Sequence, residues 1–148
     1  MLAVTLICIP LGCSPLPRQY LRQAEPGVTL TTLVTHPDRY RGKVVALGGV
    51  IVEEKQDGNR LWLRMKNRPL DEDYRPHRPA QTDGLEAGHY WVVVTREKIP
   101  ASYRKWARVT VVGQVSGVTP IEAPKDPAGE PVLSAMYLRG WGGSSHDE

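Results

Sequence analysis

Phenylalanine is missing from this chain altogether, and cysteine is nearly so. Without Phe, the aromatic part of any core falls to 4 Trp and 6 Tyr. Their N–H and O–H groups need partners when buried. Both cysteines, Cys8 and Cys13, lie at the amino-terminal end. The rest of the chain therefore holds neither a disulfide framework nor a cysteine-based metal site. The 4 histidines, His36, His77, His89 and His146, are scattered, without H-x-H or H-x-x-x-H spacing. Excess charge is small: 19 Lys and Arg stand against 16 Asp and Glu, a net of +3. That is too mild for nucleic acid, which calls for a concentrated basic stripe. No apolar run reaches the ~20 residues of a membrane-spanning helix. No G-x-S-x-G elbow, phosphate-cradling glycine loop or nucleophile–base pair is visible. The sequence points to no enzyme and to no cofactor. What is present, 148 residues with 41% hydrophobic and 24% charged, suits one globular domain that folds without covalent staples.

Residues 1–12, MLAVTLICIPLG, carry no charge, and Thr5 is their one polar residue. The run has the length of a signal-peptide apolar region, about 7–15 residues. It ends in Leu11-Gly12-Cys13, which resembles a lipobox: a small residue, here Gly12, precedes the cysteine that is lipidated and becomes the new amino terminus. Pro10 stands where Leu is usual, and no Lys or Arg precedes the run. The alternative is a buried amino-terminal strand. Ser14 to Gly27 contains Pro15, Pro17 and Pro26 and reads as a flexible or polyproline-like tether. The expected organisation is a signal peptide at 1–12, a lipid-anchored tether at 13–27, a β domain at 28–141 and a polar tail at 142–148. Each buried acyl methylene contributes about 0.8 kcal/mol, and one chain alone holds only marginally. The two or three chains of a mature lipoprotein would hold lastingly. Ser14 lacks the acidic side chain that marks inner-membrane retention in many Gram-negative bacteria, so the outer membrane is the expected destination.

Leu30, Leu33 and Val34 are spaced for a short apolar helical face before His36-Pro37. Val44 to Val52, VVALGGVIV, is apolar on both alternating faces, as in a strand covered on both sides. Gly48 and Gly49 in its middle suggest a bulge or a bend at a barrel corner. Asp57-Gly58-Asn59 signals a hairpin. Leu61, Leu63 and Met65 then alternate with Trp62, Arg64 and Lys66. Asn67 to Gly88 reads as a long loop. Tyr90 to Thr95 is a third strand, Ile99 to Ala107 a short helix with Trp106 inward, Val109 to Val118 a fourth strand and Val132 to Trp141 a fifth. The loop before the fifth strand, Ile121 to Pro131, holds three prolines. This order predicts an all-β fold: a five-stranded OB-like partly open barrel with a short helix between strands 3 and 4.

The order and spacing of three stretches resemble the Slp family of outer-membrane lipoproteins. The first is Pro37-x-x-Tyr40-x-Gly42-Lys43-Val44-Val45, running into Gly48-Gly49-Val50-Ile51-Val52. The second is Arg68-Pro69-Leu70-Asp71 with Arg78-Pro79, and the third runs from Arg108 to Gly117. The chain departs from the family pattern at Gly88-His89-Tyr90 and at Gly129-Glu130-Pro131-Val132. The resemblance implies an envelope lipoprotein facing the periplasm, attached to the membrane through lipid on Cys13. It brings no catalytic residues.

Candidate sites in the body are few. Asp71-Glu72-Asp73 lacks the spaced oxygen ligands of a calcium loop and reads as solvated. A hydrolase would need a cleft gathering His77, Asp71 and Asp73. Trp62 and Trp91, with Arg64 beside Trp62, are the candidate ligand-binding residues, because OB barrels stack ligands on aromatics of strands 2 and 3. The same tryptophans could instead cover the hydrophobic shell. The expected function is a non-enzymatic structural, protective or interaction role in the envelope. The alternative is an OB module binding an oligosaccharide, peptide or cell-wall fragment. A protein or glycan partner in the envelope fits either, and nucleic acid fits neither.

Overall fold

The computed structural model describes residues 16–77, 84–116 and 130–142. Three short helices, α1 (Arg18–Gln23), α2 (Leu30–Thr35) and α3 (Pro37–Tyr40), precede five strands. The strands are β1 (Val44–Asp57), β2 (Arg60–Asn67), β3 (His89–Thr95), β4 (Arg108–Ser116) and β5 (Val132–Trp141). They close into a barrel in the order β1-β2-β3-β5-β4. The OB-like architecture expected from the sequence is the one observed, with closure made by a parallel pairing of Trp91–Val93 on β3 with Val132–Ser134 on β5. All other ladders are antiparallel.

Strand β1 reaches five residues beyond its expected end at Val52. Its extension, Glu53 to Asp57, is polar and has no alternation to read. It is held by the ladder to β2, from Glu53↔Arg64 to Asp57↔Arg60. Gly58 opens the two-residue hairpin at φ 59, a conformation that favours glycine. β1 pairs with β4 up to Gly49 and with β2 from Gly49 onward, so the glycine pair marks the place where the strand changes partner. The bulge expected there lies further on, between Ile51 and Glu53. The glycines serve close approach instead. A Cβ on Gly48 would stand 2.4 Å from the Arg68 carbonyl oxygen, and one on Gly49 2.8 Å from that of Lys66.

Leu61, Leu63 and Met65 point into the barrel with Tyr90, Val92 and Val94 of β3 and Val109 and Val111 of β4. Leu30 and Leu33, three apart on α2, join this core. Thr29 and Thr32 form a reciprocal capping box at the start of α2. The Glu86 carboxylate reinforces it, accepting from the Thr31 amide and hydroxyl at 2.7 Å each. The helix expected between strands 3 and 4 consists of two 3₁₀ turns, Arg96–Lys98 and Ala101–Lys105. Pro100 lies between them, and without an N–H it cannot continue a helical ladder. Tyr103 is buried and Trp106 packs against the core.

The stretch expected to be a flexible tether is docked from Leu16 onward. Leu16 is 1% exposed. Tyr20 of α1 stacks on Tyr137 of β5 with ring centroids 5.0 Å apart. The Glu25 amide donates to the Val44 carbonyl at 2.8 Å. Residues 1–15, Arg78-Pro79, most of the loop before β5, and the tail beyond Gly142 lie outside the described residues.

Candidate functional site

Cys13 falls outside the described residues. Trp62, Arg64 and Trp91 are brought together on the outer face of β2 and β3. The register Trp62↔Val93 and Arg64↔Trp91 sets the two indoles on a diagonal of that face, with Arg64 directly across from Trp91. Both rings are covered: Trp62 is 4% and Trp91 2% exposed, and they cluster with Val132 and Val93. A fourth residue completes the group. Glu130, just before β5, accepts from Trp91 Nε1 at 2.7 Å and from Arg64 Nη2 at 2.5 Å. Arg64 also lies 3.9 Å from the Glu53 carboxylate. Trp62 Nε1 is buried and finds no hydrogen-bond partner among the described residues. Arg60 sits over the Trp62 ring at 5.9 Å. An aromatic platform that stacks a ligand presents an open ring face. Here the indoles are packed, and the polar side chains beside them that reach solvent are Arg60, Glu53 and, less so, Arg64.

Sequence reasoning met Glu130 only as a departure from a family pattern. Nothing in its local surroundings points to Arg64, 66 positions away. The signal, visible only in hindsight, is an acidic residue placed immediately before Pro131 and the fifth strand.

Asp71 and His77 do meet, through Asp71 Oδ2 and His77 Nε2 at 2.5 Å. They lie on an exposed turn, where Asp71 borders a cavity that neither His77 nor Asp73 lines. Asp71 Oδ1 accepts from the amides of Asp73 at 2.8 Å and Arg75 at 3.0 Å. The Arg75 amide, with His77 and the Asp73 amide, holds the Asp71 carboxyl below its ordinary range. The carboxylate is thus engaged in shaping its own loop. That loop in turn packs on β4: Thr110 Oγ1 donates to the Tyr74 carbonyl at 2.6 Å, and Arg108 Nη1 to the Pro76 carbonyl at 2.9 Å. Among the described residues no group of three or more His, Cys, Asp or Glu side chains is placed to share a metal ion. No helix among them is long and apolar enough to cross a membrane.

A cavity of about 580 Å³ lies between the docked amino-terminal segment, β1 and the Pro69–Tyr74 loop. Leu21, Pro26, Val28 and Leu70 line it, together with Glu25, Asp71, Glu72 and Glu86. Glu25, Asp71 and Glu86 already have partners, Lys43 at 3.7 Å for Glu25, His77 for Asp71 and Thr31 for Glu86.

The fold and these surfaces define a small OB-type barrel. The aspartyl tRNA synthetase from Entamoeba histolytica contains a similar unit, with a TM-score of 0.52 at 11% identity, over 90% of this chain and 24% of that one. A putative aspartyl-tRNA synthetase from Leishmania major Friedlin gives 0.50 at 10% identity, over 79% and 21%. This chain therefore spans under a quarter of those enzymes' length, and the likeness is one of fold alone. Among curated proteins no sequence match is found. The chain belongs to the outer membrane lipoprotein Slp family, whose profile matches residues 11–148, nearly its whole length.

Proposed function

We propose that the protein is anchored to the outer membrane by lipid on Cys13, faces the periplasm, and serves there as a non-enzymatic structural or interaction module. The observation that carries the reading is an uncharged apolar run ending in Leu11-Gly12-Cys13, inside a family match that begins at residue 11. The side chains of the barrel support the second part. Glu54, Glu86 and Glu130 each tie one element to another, and Asp71 shapes its own loop. A general acid or base must instead reach a substrate proton.

Cys13→Ala substitution, or inhibition of lipoprotein signal peptidase, moves the protein from the membrane to the soluble or precursor fraction. Mass spectrometry of the mature amino terminus finds acylated Cys13. A Cys13→Ala protein that still sediments with outer membranes, or an amino terminus without lipid, sinks the anchor.

A further inference from the structure

We propose that the outward face of β5, with α1 packed on it, is the surface this protein sets against the phosphate headgroups of the bilayer. The proposal rests on the lipid anchor at Cys13 and adds an orientation to it. From Cys13 to Leu16 there are only three peptide steps, a reach of about 10–11 Å fully extended. Leu16 is buried in the folded body, and four residues later Tyr20 is stacked on Tyr137. The headgroup layer is itself about 5–8 Å deep on each side of the hydrocarbon. A leash this short leaves the body little more than a headgroup's depth from its anchor. It also decides which side faces the lipid.

That side has the chemistry for the position. Arg18 and Arg22 stand one turn apart on α1, both exposed, and no ion pair engages either among the described residues. Tyr137, Arg139 and Trp141 alternate outward along β5, while Leu138 packs inward. Two exposed guanidiniums stand over the Trp141 ring, Arg139 at 4.7 Å and Arg75 at 5.1 Å. Arginine beside tyrosine and tryptophan is the composition of a membrane interface, where cations meet phosphates and amphipathic rings sit at headgroup level. The β1–β2 hairpin lacks that excess of free cations. Beyond Gly49 it pairs with neither β4 nor β5, and its Glu53, Glu54 and Asp57 are balanced by Lys55, Arg60 and Arg64, with Arg60 paired to Asp57 and Arg64 beside Glu53. That end offers phosphate no net attraction.

Full-length acylated protein bearing a fluorophore at Gln19→Cys or at Asn59→Cys tests the orientation. Each is reconstituted in vesicles of phosphatidylethanolamine and phosphatidylglycerol whose headgroups carry a nitroxide quencher. Strong quenching at position 19 with little at 59 is expected. Equal quenching, or more at 59, overturns the proposal. Protein on the vesicles with position 19 unquenched overturns the orientation alone, whereas protein left in the supernatant overturns the anchor and the orientation with it. Reversal of Arg18, Arg22 and Arg139 to Glu together, in protein whose melting curve is unchanged, lowers quenching at 19 at least about fivefold, the effect of losing roughly one arginine–headgroup contact. Quenching that survives the reversal overturns the role of charge. If the triple variant fails to fold, Arg18→Glu with Arg22→Glu on the exposed helix gives the same reading.

Discussion

At the scale of single residues, the barrel is organised around places where a side chain is forbidden. Gly48 accepts the Arg68 amide at 3.0 Å and the Tyr90 hydroxyl at 2.8 Å through its one carbonyl. The loop after β2 therefore crosses directly over it. A methyl group there meets the Arg68 carbonyl, which is backbone and cannot swing away, and Leu70 at 2.6 Å. Gly48→Ala is expected to cost about 1–3 kcal/mol by forcing the loop off the strand. Urea unfolding of the soluble Cys13→Ala protein measures it. Gly140 has the same character against Trp106, whose ring atoms lie 2.2–2.3 Å from where a Cβ would stand. Tyr90 shows how a chain without Phe manages its core. Its ring fills the barrel interior, its hydroxyl finds a backbone carbonyl, and burial pushes its acidity far out of the physiological range.

At the scale of elements, short segments with little structure of their own are pinned by long-range polar ties. The 3₁₀ turn Ala101–Lys105 is fastened to β1 by Tyr103 and Arg104. Both donate to Glu54, the tyrosine hydroxyl to Oε2 and Arg104 to Oε1 at 3.0 Å. The Tyr103 hydroxyl, helped by Arg104, holds the Glu54 carboxyl below its ordinary range. Burial, together with Glu54, pushes the Tyr103 phenol up. A depressed carboxyl contributes fully above its unfolded pKa, and that contribution is lost as pH falls through the folded one. A raised phenol contributes below its unfolded pKa and loses that contribution as pH rises through the folded one. The tie is therefore complete from mildly acidic to mildly alkaline pH and fails first in acid. Hydrogen-exchange protection of the Trp106 amide, which donates to the Tyr103 carbonyl, is expected to fall below the carboxylate range. Tyr103→Phe should flatten that dependence. An unchanged acid response in Tyr103→Phe would show that Glu54 is not its source. The helix expected across Ile99–Ala107 was placed correctly in the chain. Its form was decided by Pro100 and by Tyr103 reaching for β1.

At the scale of the whole molecule, closure depends on a short seam. Only three residue pairs join β3 to β5, in the parallel arrangement that is slightly weaker per residue. Glu130 clasps this seam from outside, since its two oxygens engage β2 through Arg64 and β3 through Trp91 just before the chain enters β5. The pair is largely but not wholly buried, with side-chain exposures of 23% for Arg64 and 17% for Glu130. Glu130→Gln leaves Arg64 undercompensated and is expected to cost about 1–3 kcal/mol, below the full cost of breaking a buried pair. In an Arg64→Met background the same change should cost about 1 kcal/mol less, which a double-mutant cycle by urea unfolding measures. Equal costs in the two backgrounds would show that the clasp works through Trp91 alone.

The alternation of Leu61, Leu63 and Met65, the glycine pair in β1, the Asp-Gly-Asn turn and the order of strands were all legible in the sequence. They are local, with periods of two residues or turn chemistry that any single stretch displays. The family was legible too, because its motifs are short stretches in a set order. The lipid anchor we propose at Cys13 rests on the same kind of signal, the residues beside it. Tertiary structure alone decided that Leu16 to Gly27 lies against the barrel and that β1 continues to Asp57. It also decided that Trp62 and Trp91 are covered, with Arg64 and Glu130 closing over them. Each of these depends on a contact between residues far apart in the chain, and neither partner carries a mark of the other in its own surroundings. An exposed tryptophan and a buried one have the same neighbours in sequence; only the packing of β5 beside β3 tells them apart.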